Sequence, residues 1–359
     1  MRHLVIKNFG PIAEADVDLN RINVVIGPQS SGKSCLLKVA SYCTWVEKRI
    51  QLSQDTRQFY KDKLFENGLL LFHKLEGYAR KDSYLLYEND TMRFSYAWDG
   101  NIFNFVWKEH KWDYICPKVS YIPAERNIVA AVPNWFEVNF NDDNIRNFMS
   151  DWETARKTVI EGLPILNFGV KYKYDHGTGM DKVVLQDGRI LDFTNTSSGL
   201  QSVVPLMVHL EYMYKTRFNI NNPKSLKRQA EETRLHEEIT KYSSVKDSAE
   251  TFANYTDFKL NYVFLEEPEQ NLFPPTQGLL VEYLKDYARG QHGGLLFVAT
   301  HSPYVVTSFI EESDSEDISL FFMHETENGS FKVICASKEE LQDIYDYDID
   351  VFHNIHNLG

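Results

Sequence analysis

The chain has 359 residues, 43% of them hydrophobic and 25% charged, with a net charge of −13. That apolar content suffices for one large α/β domain or two ordinary ones and excludes general disorder. A globally acidic protein does not coat nucleic acid or anionic membrane non-specifically, so any nucleic-acid contact needs a local basic patch. The four cysteines, Cys35, Cys43, Cys116 and Cys335, lack CxxC or zinc-type spacing and read as buried, reduced thiols. Met1 to Ile6 lack the apolar core of a signal peptide, and no apolar run reaches the ~20 residues of a membrane helix. A soluble, cytoplasmic protein without a membrane partner is expected.

Strands are expected through residues 3–26. Leu4–Asn8 is followed by a turn at Gly10-Pro11, a weakly alternating Ala13–Leu19, and the β-branched run Ile22–Ile26 of a strand buried on both faces. Ser34–Ile50 reads as a helix with Leu36, Leu37, Val39 and Ala40 on its apolar side, and residues 51–80 are charged and helix-prone. Residues 83–115 are rich in aromatics and Ile, with turns at Asn89-Asp90 and Asp99-Gly100, which predicts antiparallel hairpins. Val119–Ile122 reads as a buried strand ended by Pro123, and residues 134–165 as helical. Val170–Tyr174, Lys182–Gln186 and Arg189–Phe193 read as strands, with a helix from about Gly199. The alternating charges of 221–258 fit a solvated helical face, or an inserted arm that touches a partner or DNA. Tyr262–Leu265 and Leu295–Ala299 are buried-strand candidates flanking a helix at Leu279–Tyr287. In Asp343–Asp350, Asp346, Asp348 and Asp350 alternate with tyrosines as a solvated tail or a metal site.

Gly27-Pro28-Gln29-Ser30-Ser31-Gly32-Lys33-Ser34 matches GxxxxGK[ST] between a predicted strand and a predicted helix, the context a phosphate-cradling loop requires. Glycines let the chain turn tightly so that backbone N–H groups, with those of the helix start through Cys35, face phosphate oxygens. Lys33 is assigned to the β- and γ-phosphates of ATP, and Ser34 to Mg²⁺. The strand Tyr262–Leu265 ends in carboxylates, and ligands gather at the carboxyl ends of strands in such sheets. Glu266 is therefore the metal-side candidate and Glu267 the candidate general base. His301 follows the next strand and is expected to contact the γ-phosphate from the same crevice. In Thr196–Ser202, Ser198 is a candidate N-cap, and Gly199 would let a ligand approach free backbone N–H groups.

These segments occur in one order: the phosphate loop, Ser197–Ser202, Phe264–Glu269 and Ala299–Pro303. The order resembles the ATP-binding-cassette (ABC) class of ATPase, and more narrowly the soluble heads of the SMC, RecF and OLD-like group. The resemblance implies an α/β P-loop NTPase fold, an ABC-type ATPase head with an antiparallel β lobe, a helical signature lobe and a helical insertion. One domain is expected over 1–359: a nucleotide lobe at about 1–130 and 260–330, a signature lobe at about 131–220, the insertion at about 221–258 and an acidic tail at about 338–359. Ser197, Ser198, Gly199 and Gln201 match the signature, which in that class acts on ATP held by another subunit. Glu267 matches the catalytic glutamate, His301 the switch histidine, and Glu269–Leu272 the D-loop.

The chain also departs from the class. Glu266 stands where many members carry Asp, and the signature lacks the leading leucine and second glycine of transporter cassettes. No plain glutamine loop is visible. Ser120–Asn127 occupies its place, and Glu125 or Arg126 is expected near the nucleotide. No long coiled coil interrupts the chain, and the stretch after His301 is too short for the nuclease domain of OLD proteins. The implied partners are a second copy, as a homodimer or higher oligomer of dimers with ATP at the interface, a separate nuclease or toxin-like effector, and DNA. The alternatives are a transporter's ATP-binding subunit and a non-hydrolysing scaffold.

Overall fold

The computed structural model describes residues 2–61, 63–215, 226–241, 247–311 and 316–347. Strands β1 (Arg2–Phe9), β2 (Ile12–Leu19) and β3 (Ile22–Ile26) lead through the phosphate loop into helix α1 (Lys33–Ser53). Short helices α2 (Arg57–Lys61) and α3 (Leu64–Leu70) precede the hairpins β4 (Ala79–Glu88), β5 (Met92–Ala97) and β6 (Ile102–Trp107), then β7 (Pro117–Ile122). Helices α4 (Ile128–Ala131) and α5 (Asn144–Arg156) come before β8 (Leu163–Pro164), β9 (Lys171–Asp175), β10 (Met180–Val184) and β11 (Ile190–Asp192). Helix α6 (Ser198–Lys215) follows, then α7 (Leu226–Lys241) and α8 (Ser248–Thr256). The chain continues through β12 (Leu260–Glu266), α9 (Pro274–Arg289), β13 (Gly293–Thr300), α10 (Pro303–Ile310), β14 (Ile318–Glu325), β15 (Phe331–Cys335) and α11 (Lys338–Tyr347).

The main sheet has the order β6-β5-β4-β1-β2-β15-β14-β3-β13-β12-β7. From β14 to β7 every pairing is parallel, whereas β6 to β2 are joined antiparallel. The parallel strands are covered on both faces, and their alternate side chains enter two cores. Val24, Leu265 and Val298 join α5, α6, α9 and α10 on one face. Val25, Phe264 and Phe297 join α1 on the other. This two-sided burial is why these strands read as mainly apolar runs instead of alternating ones. Each fully buried aliphatic side chain stabilises the fold by roughly 1.5–3 kcal/mol. A second, antiparallel sheet, β11-β10-β9-β8, sits in the lobe expected to be mainly helical.

Several expectations need correction. Only Asn144–Arg156 of the 134–165 stretch forms a long helix. Its start is fixed by Asp143, whose Oδ1 accepts the N–H groups of Ile145 and Arg146 at 3.0 Å. The acidic tail begins as α11, which buries Leu341 and Ile344 against the core. The side chain of Asp346, and Asp348 and Asp350 entirely, lie outside the described residues. Cys35, Cys43 and Cys116 are buried, but Cys335 is exposed. In the insertion, Leu235 and Ile239 form a buried stripe with Tyr114, Cys116 and Tyr255, while most of α7 stays solvated. The insertion is pinned to α1 by Arg49, whose guanidinium pairs with both oxygens of Glu231 at 2.8 and 3.3 Å. Among the described residues no helix is long and apolar enough to cross a membrane.

Candidate functional site

The phosphate loop leaves the carboxyl end of β3 and closes on α1. Its curvature needs two residues with positive φ, Ser30 at 60° and Gly32 at 102°. Gly32 tolerates no side chain, because a Cβ there would lie 2.7 Å from Pro11. Lys33 is buried and donates to the carbonyls of Gly27 at 2.8 Å and Pro28 at 2.7 Å, which ties the loop across its own mouth. Burial lowers its ammonium to about 8, while Glu267 and Glu269 favour the charged form. Ser34 is exposed at the start of α1, and Pro28, Gln29 and Ser30 are exposed on the loop. Ser31 is buried, and its hydroxyl has no hydrogen-bond partner. Cys35 buries its thiol, raised to about 12 by desolvation, so it offers a phosphate only its backbone N–H.

Parallel pairing brings three further strand ends beside this loop. Thr300 pairs with Ile26, Glu266 with Ala299, and Leu265 with Ile122. Glu266 is buried at the end of β12, where its Oε2 accepts the N–H of Ala124 at 3.2 Å. Glu267 leaves the strand in a left-handed conformation, φ 41°, and its N–H donates to the carbonyl of Ala299 at 2.7 Å. That turn points its half-exposed carboxylate toward His301, whose Nε2 lies 3.6 Å from Oε1. Burial, then Glu269 and Glu266, raise the pKa of Glu267 above the usual carboxylate range, against Arg126 and Lys33. Desolvation and Lys33 lower His301 to about 4, so its imidazole is neutral near pH 7. Glu269, raised mainly by burial, accepts the backbone N–H of His301 at 2.6 Å. This contact ties the two acidic and histidine loops together and was not anticipated from sequence, where Glu269 figured only as part of a D-loop.

Glu125 and Arg126 lie in a turn after β7, and they differ. Glu125 is exposed, and Arg126 is completely buried. Arg126 spends its guanidinium on four backbone carbonyls, those of Ser202, Glu266, Glu267 and Pro268. It therefore underlies the carboxylate turn, and these bonds hold protein backbone instead of presenting donors to a nucleotide.

The signature segment is brought to a different place. Ser197, not Ser198, caps α6, its Oγ accepting the N–H of Leu200 at 3.4 Å. The helix starts one residue earlier than the pattern suggested, which moves the cap back by one. Ser197 and Ser198 are exposed. Gln201 folds its carboxamide back onto the carbonyls of Thr194 at 2.9 Å and Thr196 at 3.1 Å, holding the approach to the helix. Gly199 faces Asn271, where an added Cβ would sit 3.1 Å from the carbonyl oxygen. A cleft of about 420 Å³ elsewhere involves other residues, and the one beside the signature, about 280 Å³, is lined by Ser197, Gly199, Asn271 and the exposed Phe273 among others, with no phosphate-loop residue.

No protein-family model matches the chain, and no curated protein matches it in sequence. Among solved structures it is similar to an SMC head domain from Thermotoga maritima, at 13% identity over 94% of this chain and 100% of that one, TM-score 0.47. It is also similar to the Smc head domain with an extended coiled coil, bound to the C-terminal domain of ScpA, derived from Pyrococcus furiosus, at 8% identity over 97% and 100% of the two chains, TM-score 0.44. An ATP-binding cassette of an ABC transporter in its ADP conformation matches at 10% identity over 96% and 95%, TM-score 0.35. The topology is mixed α/β: the loop Gly27–Ser34 joins a central parallel strand to its helix, and an antiparallel extension continues the same sheet.

Proposed function

We propose that the chain is a Mg²⁺-dependent ATPase that works as a head-to-tail dimer, each ATP held by one copy's phosphate loop and covered by the other copy's signature. The observation that carries this reading is an asymmetry. Gly27–Ser34, Glu266, Glu267 and His301 converge at the carboxyl ends of adjacent strands, while Ser197 and Ser198 of the signature are exposed and the cleft beside them is lined by no phosphate-loop residue.

The loop fits a polyphosphate. It has a tight turn of positive-φ residues, a buried ammonium, a buried hydroxyl without a partner, and a helix start behind it. Ser34 and Glu266 are the residues that would hold Mg²⁺, which when bound neutralises charge on the phosphate oxygens. Glu267 accepts a proton from the attacking water, a role its raised pKa suits by improving its basicity near neutral pH. Neutral His301 donates or accepts a hydrogen bond beside it and reports whether the terminal phosphate is in place. Ser197, Ser198 and Gly199 offer backbone and hydroxyl donors to a phosphate supplied by the second copy.

The task coupled to this cycle is read as DNA-related, in genome maintenance or anti-phage defence, with a separately encoded nuclease or toxin-like effector. That part rests on resemblance to the class. The domain organisation expected from sequence, one head with two lobes and an insertion, belongs to the same reading. The test is Glu267→Gln. It should bind ATP, hydrolyse it on the order of 10²–10⁴-fold more slowly, and accumulate as a dimer by light scattering. A variant that stays monomeric at every ATP concentration overturns the head-to-tail model.

A further inference from the structure

Arg126 makes contacts that the proposed cycle does not yet use. It is 0% exposed. Nε donates to the carbonyl of Ser202 at 3.0 Å, and Nη1 to that of Glu266 at 2.9 Å. Nη2 donates to Glu267 at 2.8 Å and to Pro268 at 3.3 Å. A buried guanidinium is costly unless its donors are satisfied, and here they are satisfied by main chain from two separate elements. One is the turn that aims Glu267. The other is α6, whose first residues are the signature.

Ser202 is where these elements meet. Its carbonyl takes the bond from Arg126, and its hydroxyl takes a second from Asn271 Nδ2 at 2.9 Å. Asn271 lies four residues beyond Glu267, in a left-handed conformation, φ 60°. The carboxylate turn is therefore strapped to the signature helix at both ends. Pro205, one turn further along α6, has no N–H for the carbonyl of Gln201, so this first turn is less firmly held by its own helix. A rotation or shift of the signature end of α6 must carry Ser202 with it, and Ser202 carries the Glu267 turn through a planar, pre-organised fork.

We propose that Arg126, through Ser202, is a positioning residue that sets the Glu267 carboxylate according to whether the signature helix is engaged by a second copy of this chain. This rests on the dimeric ATPase reading above. Glu267 holds an uncommon left-handed φ that the surrounding bonds must maintain. A flexible lysine at 126 keeps a cation but loses the four-way fork, so the turn relaxes.

The experiment compares the wild type, Arg126→Lys and Asn271→Ala, each alone and in the Glu267→Gln background, with Mg²⁺-ATP. Turnover is read by phosphate release and affinity by a fluorescent ATP analogue. Arg126→Lys should lower kcat on the order of 10–10²-fold, with KM and analogue affinity within about threefold, because the phosphate loop is untouched. Asn271→Ala, at an exposed residue, should lower kcat in the same sense by a smaller factor. In the Glu267→Gln background neither change should reduce the residual rate further, since the group they position is gone. Folded Arg126→Lys and Asn271→Ala proteins with wild-type kcat overturn the proposal alone. So do losses that multiply in full upon Glu267→Gln, or equal losses in KM and kcat. If Arg126→Lys does not fold, Asn271→Ala decides by the same criteria. A wild type that neither binds nor hydrolyses ATP overturns the ATPase reading, and this proposal with it.

Discussion

The phosphate loop and the signature are both glycine-bearing helix starts, yet the molecule treats them in opposite ways. The loop is wrapped. Lys33 crosses it, Pro11 and Met323 press on its glycines, and Glu266, Glu267 and His301 stand at neighbouring strand ends. The signature is bare. Ser197 and Ser198 face solvent, and Gln201 is occupied with the two carbonyls before the helix. Equal local chemistry at a helix terminus therefore does not give equal sites. One helix start sits at the carboxyl edge of a parallel sheet, where side chains from several strands converge. The other starts α6, with Ser197 and Ser198 exposed and no phosphate-loop residue lining the cleft beside it.

That contrast breaks most decisively by mixing lesions. Lys33→Ala should lose ATP binding and lower turnover by on the order of 10²–10³-fold. Gly199→Asp, which puts a carboxylate where the partner's phosphate arrives, should retain ATP binding and lose turnover to a similar extent. In an equimolar mixture, a head-to-tail pair has one site with both lesions and one with neither. Phosphate release should then recover well above that of either variant alone. If each variant's rate is unchanged on mixing, the signature serves its own chain and the contrast is wrong.

A smaller effect is expected at His301. Removing its imidazole with His301→Ala should slow turnover roughly tenfold, the scale of one hydrogen bond to a charged group, with ATP affinity little changed in an equilibrium titration. An effect on affinity as large as that on turnover would place His301 in ground-state binding instead.

The least perturbing test concerns the anchoring of the signature helix itself. His209 of α6 is fully buried, with Nε2 2.6 Å from Ser120 Oγ on β7. Burial lowers its pKa to about 3, below the unfolded value near 6.5. The unfolded chain therefore binds more protons between these values. The stability His209 confers is present above about pH 6.5 and is lost as pH falls toward 3. At pH 5 the loss is up to about 2 kcal/mol. His73, lowered to about 3 by burial, acts in the same direction. Urea midpoints at pH 7.5 and pH 5 should differ less in His209→Gln, which cannot titrate, than in the wild type. Equal differences would show that His209 is not a source of the acid sensitivity.

Much of this was legible in the chain. Tyr262–Leu265 and Leu295–Ala299 are continuous apolar runs, and Ile22–Ile26 is one broken only by the buried Asn23, because both of their faces are covered, and the Asn89-Asp90 and Asp99-Gly100 turns mark the hairpins where the structure has them. The 134–165 stretch was less legible, since only a cap at Asp143 separates irregular chain from helix. The start of α11 was hidden by its charge, because two apolar residues one turn apart suffice to seat a short helix.

The sequence by itself determined the local chemistry: a loop that must turn tightly before a helix, carboxylates at a strand end, a histidine after the next strand, and a serine-glycine helix start. Each is a pattern of adjacent residues, and backbone geometry acts on adjacent residues. Only the tertiary structure decided which of these share a crevice, since strand order and parallel register bring residues 26, 122, 266 and 300 to one edge. It alone also committed the Arg126 guanidinium to the main chain of Ser202 and Glu266–Pro268. The direction of a buried side chain depends on which unpaired carbonyls surround it, and those come from segments more than seventy residues away in sequence.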